Sequence, residues 1–99
     1  MARFDVYEIP DGEGLLLDIQ ADLLSHLNTR IVVPLLPAKL SPKPASTLNP
    51  CFTLHDESLV MNTQFMAAVP VNILRKPVGS LAHHRDEIVA AVDFLMQGF

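Results

Sequence analysis

The sequence of 99 residues has one cysteine, no tryptophan and no long apolar run, and each shortage narrows what the protein can be. Cys51 has no second thiol to pair with, so an internal disulfide is excluded. No apolar stretch approaches the about 18 residues that a membrane-spanning helix needs, and residues 1–4 do not resemble the start of a signal peptide. We therefore expect a soluble protein of the cytoplasm.

Basic residues are also too few and too scattered to form a phosphate-binding surface. The chain has seven Lys and Arg against eleven Asp and Glu, which gives a formal net charge of −4 and a pI near 5.4. A protein that binds nucleic acid directly needs clustered cations to meet the phosphate charge. The composition therefore disfavours direct binding to DNA or RNA.

Apolar residues, in contrast, are abundant. They make up 49% of the chain, and the mean hydropathy is +0.30, which excludes a disordered protein. A length of 99 residues suits one domain with one core. We therefore predict a single domain over residues 1–99, and the excess of apolar residues favours a homodimer that buries some of them between subunits.

Short apolar segments separated by turn residues predict a mainly β fold. Pro34 interrupts the most hydrophobic segment, and a proline there indicates a bulge, a bend or an edge. Residues 21–28 indicate an irregular connection or a single helical turn, and Pro37–Pro50 an extended loop. With one C-terminal helix, the pattern predicts a strongly bent barrel or pair of antiparallel sheets closed by that helix. The expected strands are residues 3–8, 15–20, 30–36, 52–55, 58–61 and 69–74, with hairpin turns at Pro10–Gly14 and Asp56-Glu57.

The last twenty residues, Ser80 to Phe99, predict a helix that is apolar on nearly every side. Ser80 suits the N-cap and Gly98 the C-terminal cap. Ala91 and Phe94 are apolar on the side away from the predicted core stripe. The end of this helix therefore either docks on the sheet or enters another protein. The core stripe at helical spacing comprises Leu81, Ile88, Val92, Leu95 and Phe99.

The sequence contains no group that completes a catalytic or metal site. His83 and Glu87 are four residues apart on the predicted helix, but no second cluster supplies further ligands. The polar segment at residues 55–57 is expected in a hairpin turn whether or not it has a function. Cys51 has no basic neighbour in the sequence to activate it, so we expect a buried structural thiol. These features favour an interaction protein without cofactor or metal over an enzyme.

Seven short segments occur in a recognisable order and spacing. They are Phe4-Asp5-Val6-Tyr7, residues 17–24, residues 30–35, Leu48-Asn49-Pro50, Met61 with Ala68-Val69-Pro70-Val71, Leu81-Ala82-His83-His84-Arg85 and Gln97-Gly98-Phe99. Through these segments the chain resembles the CcdB toxins of bacterial toxin–antitoxin modules over essentially its whole length. The resemblance implies an SH3-like barrel with a C-terminal helix, a homodimer, and a toxin that is not an enzyme.

The resemblance also implies a target, the A subunit of DNA gyrase, which CcdB toxins trap after the DNA is cut and before it is resealed. Gln97 is the main departure, because the best-known member has a tryptophan there that stacks on an arginine of gyrase. Asp93 replaces a familiar asparagine, and Phe99 the usual isoleucine. Carried over by position, the gyrase contacts are Leu23, Leu24, Asp93, Met96, Gln97, Gly98 and Phe99.

A CcdA-like antitoxin is implied as the second partner. It folds a disordered segment around the toxin dimer and joins the toxin in autoregulating transcription. The family places antitoxin contacts near the first hairpin, here an acidic tip at residues 8–14, and near the proline-rich loop, here residues 39–46. The charged candidates in the two regions are Glu8, Asp11, Glu13, Lys39 and Lys43.

Two alternative functions stay open from the sequence. MazF-type endoribonuclease toxins share this barrel, although the acidic pI and the missing basic groove argue against an RNA substrate. The chain could also be a degenerate, non-toxic homologue that only binds the antitoxin.

Overall fold

The computed structural model describes residues 2–10 and 12–98, which form a mainly antiparallel fold with one C-terminal α-helix, as predicted. The strands are β1 (Asp5–Glu8), β2 (Leu15–Asp18), β3 (Thr29–Pro37), β4 (Cys51–Leu54), β5 (Glu57–Met61), β6 (Ala67–Pro70) and β7 (Gly79–Ser80), and helix α1 spans Arg85–Gln97. Single 3-10 turns lie at Asp22–Leu24, Ala38–Leu40, Thr63–Phe65, Val71–Ile73 and Ala82–His84. None of the described helices is long and apolar enough to cross a membrane.

Strand β3 is the centre of the sheet because it pairs with three other strands. On one edge its residues 32–35 pair with β2. On the other edge residues 29–32 pair with β6 and residues 35–37 with β5. The path β4-β5-β3-β2-β1-β7, with β6 beside β3, bends into a nearly closed barrel.

Pro34 stands where the second edge of β3 changes partner from β6 to β5. Its carbonyl accepts a hydrogen bond from the Asn62 N–H at 2.9 Å. Because the N–H and C=O of one strand residue point to the same edge, the missing N–H of Pro34 falls at this gap between partners. Pro34 thus interrupts the pairing along one edge of β3, and which of the predicted features it marks, a bulge, a bend or an edge, stays a prediction.

Alternating side chains of the central strands fill two apolar clusters on opposite faces. Val33 faces the larger cluster and its neighbour Val32 the smaller, so this strand is buried on both faces. The smaller cluster contains Tyr7, Leu16, Val32 and Leu74. The larger, inside the barrel and under α1, contains Phe4, Val6, Leu17, Ile19, Val33, Leu35, Phe52, Leu59, Met61, Leu81, Ile88 and Ala91.

Helix α1 begins five residues later than predicted. Ser80 belongs to β7, where it pairs with Asp5, and its hydroxyl accepts the Ala82 N–H at 3.2 Å. His84 occupies the N-cap of α1 without a side-chain cap bond. The prediction of Ser80 as N-cap is wrong because β1 recruits residues 79–80 into the sheet, a long-range pairing that local sequence does not reveal.

The buried face of α1 also differs from the predicted stripe. Ile88 and Ala91 are fully buried, whereas Leu95 is 38% exposed. The prediction put Ala91 on the outer side, and this is wrong, because the helix packs through its first two turns and its last turn projects past the core. Gly98 ends α1 at φ +81°, and its N–H donates to the Phe94 carbonyl at 2.9 Å, so the predicted C-terminal cap is confirmed.

Cys51 is exposed, which corrects the expectation of a buried thiol. It opens β4 directly before Phe52, whose side chain enters the core. Because successive strand residues point to opposite faces, the inward placement of Phe52 turns Cys51 to solvent.

Several predicted segment boundaries shift, among them those of the second hairpin and of the last predicted strand. The hairpin between β4 and β5 turns at His55-Asp56, one residue before the predicted position, and both residues have positive φ, as a two-residue hairpin requires. The last predicted strand stops at Pro70, because the Val71 N–H bonds the Asn28 carbonyl and Val71–Ile73 forms a 3-10 turn.

Candidate functional site

The 3-10 turn Asp22–Leu24 presents an apolar side chain to solvent. Leu23 is 88% exposed, and Leu24 is exposed beside it. The turn is nevertheless well bonded, since the Leu24 N–H donates to the Ala21 carbonyl at 2.9 Å and the Arg3 N–H donates to the Asp22 carboxylate at 2.7 Å. Because the two exposed leucines are adjacent on one ordered turn, they form a candidate surface for partner binding.

A buried ion pair lies behind this turn. Arg30 and Asp18 are both fully buried, and Arg30 Nη2 and Nε lie 2.6 Å and 2.9 Å from Asp18 Oδ2. Burial raises the pKa of the Asp18 carboxyl, and hydrogen bonds from Arg30 and from the Gln20 N–H oppose part of that rise. Each of the two charges therefore stabilises the other in the core by ion pairing.

Gln20 connects the ion pair to the turn. Its N–H donates to Asp18 Oδ1 at 3.0 Å and its carbonyl lies 3.4 Å from Arg30 Nη2. Its side-chain Nε2 donates to the Leu24 carbonyl at 3.1 Å, and Oε1 accepts the Ile31 N–H at 3.2 Å. Sequence reasoning assigned no role to Asp18, Gln20 or Arg30, although polar residues flanking buried strand positions are a signal for such a network.

The C-terminal end of α1 forms a second apolar surface. Phe94, Leu95 and Met96 are exposed, and Met96 reaches 64% exposure. Of the other predicted gyrase contacts, Asp93 is half-buried while Gln97 and Gly98 are exposed. Phe99 lies outside the described residues. We call Phe94–Gly98 the helix tip.

Within residues 2–10 and 12–98, the two predicted gyrase-binding groups are not packed against each other. Helix α1 packs on the core through Ile88 and Ala91 and contacts the 3-10 turns Thr63–Phe65 and Ala82–His84, and it has no comparable contact with Asp22–Leu24. Within one protomer, Leu23-Leu24 and the helix tip are therefore separate patches.

The predicted antitoxin contacts are at the surface where the structure describes them. Glu8, Glu13, Lys39 and Lys43 are exposed, and Asp11 lies outside the described residues. Glu8 also borders an open cleft of about 770 Å³, which is lined on one side by Glu8, Ile9 and Pro10 and on the other by residues between Asn72 and Val78. The cleft is large enough for a peptide segment.

The histidines form no ligand set. His84 is paired with Glu87, at 2.9 Å from Nδ1 to Oε1. The His84 ring lies close to the rings of His83 and Phe52, with the ring planes tilted relative to each other. Across residues 2–10 and 12–98, no three His, Cys, Asp or Glu side chains are grouped to hold a metal ion.

The fold defines the class as a small barrel shared with toxins of toxin–antitoxin systems. A mycobacterial endoribonuclease solved in complex with its cognate antitoxin matches with a TM-score of 0.77 at 14% identity, over 97% of this chain and 94% of the other. The Mycobacterium tuberculosis toxin MazF-mt6 matches with a TM-score of 0.70 at 17% identity, over 93% of both chains. At such identities the likeness concerns the fold alone.

The family is given by the sequence match. The model of the CcdB protein family matches residues 3–98, nearly the whole chain, and the protein therefore belongs to the CcdB family. The predicted resemblance is confirmed, and with it the general class of a toxin–antitoxin toxin.

Proposed function

We propose that this protein binds the A subunit of DNA gyrase and traps the complex in which the DNA is cleaved. The observation that carries the proposal is the exposed helix tip in a member of the CcdB family. The tip is held in place by a helix whose other end is anchored in the core by Ile88 and Ala91. A rigid apolar projection of this kind suits insertion into a partner.

Trapping of this kind requires no catalytic residue in the toxin. A ligand that binds the cleaved state of gyrase more tightly than the resealed state shifts the gyrase cycle toward cleavage by that difference in affinity. The toxin needs only a surface that fits one state, and Leu23-Leu24 together with the helix tip provides the candidate contacts.

We further propose a homodimer in the cytoplasm. The described surface exposes more large apolar side chains than the gyrase contacts account for, among them Phe65 and Leu95 near α1. A two-fold dimer would present two helix tips to the two A subunits of gyrase in equivalent contacts.

Sedimentation equilibrium should give twice the chain mass of 10.9 kDa, and a monomer at micromolar concentration would contradict the dimer.

A CcdA-like antitoxin is proposed as the neutralising partner. The fold match to a toxin solved with its cognate antitoxin supports a partner of this class. An acidic hairpin tip with Glu8 and Glu13, and the loop cations Lys39 and Lys43, are the proposed contact regions. A disordered antitoxin segment that folds on binding could cover both regions at once.

The test of the gyrase proposal is a cleavage assay. Purified protein is incubated with gyrase, ATP and supercoiled plasmid, and the products are treated with detergent and protease. Linear DNA should accumulate with protein concentration. A protein that produces no linear DNA, does not arrest growth when expressed and still binds an antitoxin would instead be a non-toxic antitoxin-binding homologue.

An endoribonuclease is the second candidate, because the fold neighbours include endoribonucleases. The net charge of −4 and the absence of a nucleic-acid footprint in the composition weigh against it. Incubation of the same preparation with total RNA should leave the RNA intact. Site-specific RNA fragments would favour the nuclease and contradict the gyrase proposal.

Replacing Gln97 with tryptophan should strengthen gyrase trapping. Gln97 is exposed on the helix tip, and a tryptophan there could stack on an arginine of the target, a contact worth about 1–2 kcal/mol when desolvated. The concentration for half-maximal linear DNA should fall roughly tenfold. Gln97→Leu, which adds apolar area without an aromatic face, is the control, and equal gains from both variants would contradict the stacking explanation.

A further inference from the structure

The exposed turn that presents Leu23 is bonded to the backbone of Arg3 through Asp22, and to the buried interior through Gln20. Gln20 is itself buried, yet it donates to the carbonyl of Leu24 on the surface at 3.1 Å. Its other side-chain atom accepts from β3, and its backbone bonds both partners of the buried ion pair. One residue thus links the turn and the central strand through its side-chain amide, and the pair of buried charges through its backbone.

The location of the buried charges also needs an explanation. Burying Asp18 and Arg30 costs desolvation that an apolar pair would avoid, so stability alone does not account for them. Buried polar networks can instead specify one arrangement of the groups around them. Here the group that the network reaches is the backbone of the turn carrying the most exposed leucine of the described chain.

We infer that Gln20 is a positioning residue for target binding: it fixes the backbone of the Asp22–Leu24 turn so that Leu23 and Leu24 are presented in one conformation. The Asp18–Arg30 pair orients Gln20 by accepting from its N–H and donating to its carbonyl. Without the clamp, the turn would sample several conformations, and binding would have to select one of them. The part of this inference that concerns target binding rests on the proposed gyrase function.

The chain offers a matched control for this clamp. Asn49 is a second buried amide that bonds loop backbone, since its Oδ1 accepts the Ala45 N–H and its Nδ2 donates to the Met61 carbonyl, both at 3.0 Å. It anchors the proline-rich loop instead of the leucine turn. Gln20→Met and Asn49→Leu therefore each remove a buried side-chain amide that is hydrogen-bonded to backbone, one at the leucine turn and one at the proline-rich loop. Their local effects are compared after correction for the change that each causes in the global free energy of unfolding.

The first measurement is solvent exchange of the turn amides by NMR. The amides of Leu24, Ser25 and Leu27 are hydrogen-bonded within the turn and report its opening. We expect Gln20→Met to raise their exchange rates roughly tenfold, while Asn49→Leu leaves them unchanged after correction for global stability. Equal effects of the two variants would overturn the clamp.

The second measurement is a double-mutant cycle in the gyrase cleavage assay. Gln20→Met should raise the concentration for half-maximal cleavage roughly fivefold, and Asn49→Leu less than twofold. In a background with Leu23→Ala and Leu24→Ala together, Gln20→Met should have little further effect, because both side chains that it positions are gone. Full additivity of Gln20→Met with the two leucine substitutions would overturn the positioning role.

The two measurements separate the clamp from the proposed function. If the unsubstituted protein traps no gyrase, the proposed function fails and the exchange rates alone decide on the clamp. If it traps gyrase and neither exchange nor cleavage responds to Gln20→Met, the proposed function stands and the clamp is wrong.

Discussion

Replacing Arg30 with methionine is expected to destabilise the fold by about 3–5 kcal/mol, because it leaves the Asp18 carboxylate buried and unpaired. Arg30 and Asp18 are both fully buried, and no solvent reaches the carboxylate to replace its partner. For a domain whose total stability is of the order of 5–15 kcal/mol, a loss of this size leaves little folded protein at neutral pH. Urea denaturation followed by circular dichroism measures the change.

The same variant should recover stability in acid. Burial already raises the pKa of Asp18, and removing Arg30 removes the first of the groups that oppose the rise. The folded state then holds the proton more tightly than the unfolded state, whose Asp pKa is near ~3.9. Stability is therefore fully present below the unfolded-state pKa and is lost as pH rises through the higher folded-state pKa. Denaturation midpoints measured from pH 3.5 to 7.5 should fall with pH.

Two controls identify the buried charge as the cause. Arg75→Met removes an exposed cation and should change stability by less than about 0.5 kcal/mol. The double variant Asp18→Leu with Arg30→Met removes both charges and should recover part of the loss, with no fall in stability toward neutral pH. A single Arg30→Met variant that is as stable as the Arg75→Met control would contradict the assignment.

The architecture was predictable from the sequence because its determinants are local. Short apolar segments, the turn residues between them and the single apolar helix specify a small antiparallel barrel closed by a helix, and Pro34 marks the place where one edge of the central strand changes partner. What could not be predicted depends on pairing between distant residues. Residues 79–80 become a strand only because β1 is there to bond them, and this displaces the start of α1 to Arg85.

The candidate site divides in the same way. The exposure of the helix tip follows from an apolar periodicity that extends past what the barrel can cover, so Met96 and Gln97 could be selected from the sequence with the help of the family resemblance. The hydrogen bond from Gln20 to Leu24 could not be predicted from the sequence. It depends on a 3-10 turn that brings the Leu24 carbonyl back over the buried side-chain amide of Gln20. The exposure of Cys51 was missed for a related reason, since only the strand register shows which neighbour faces inward.

Deleting residues 97–99 is expected to abolish gyrase trapping while leaving the fold and antitoxin binding largely intact. The deletion removes the end of the helix tip, and truncation of a central anchor can cost several kcal/mol of binding, or roughly a hundredfold and more in affinity. The fold should tolerate it, because Ile88 and Ala91 anchor α1 in the core and a Cβ at Gly98 would meet no other atom within 4 Å. Loss of the C-terminal cap should lower the free energy of unfolding by about 1 kcal/mol.

A reciprocal variant turns this expectation into a test of two separate surfaces. Lys39→Ala with Lys43→Ala alters exposed cations of the proline-rich loop, so it should weaken antitoxin binding and leave the cleavage assay unchanged within about twofold. The deletion should do the opposite, with antitoxin affinity by calorimetry within about threefold of the full chain. If the deletion weakens binding to both partners equally, the deleted residues serve a shared interface or the fold itself, and the assignment of gyrase binding to Gln97, Gly98 and Phe99 is wrong.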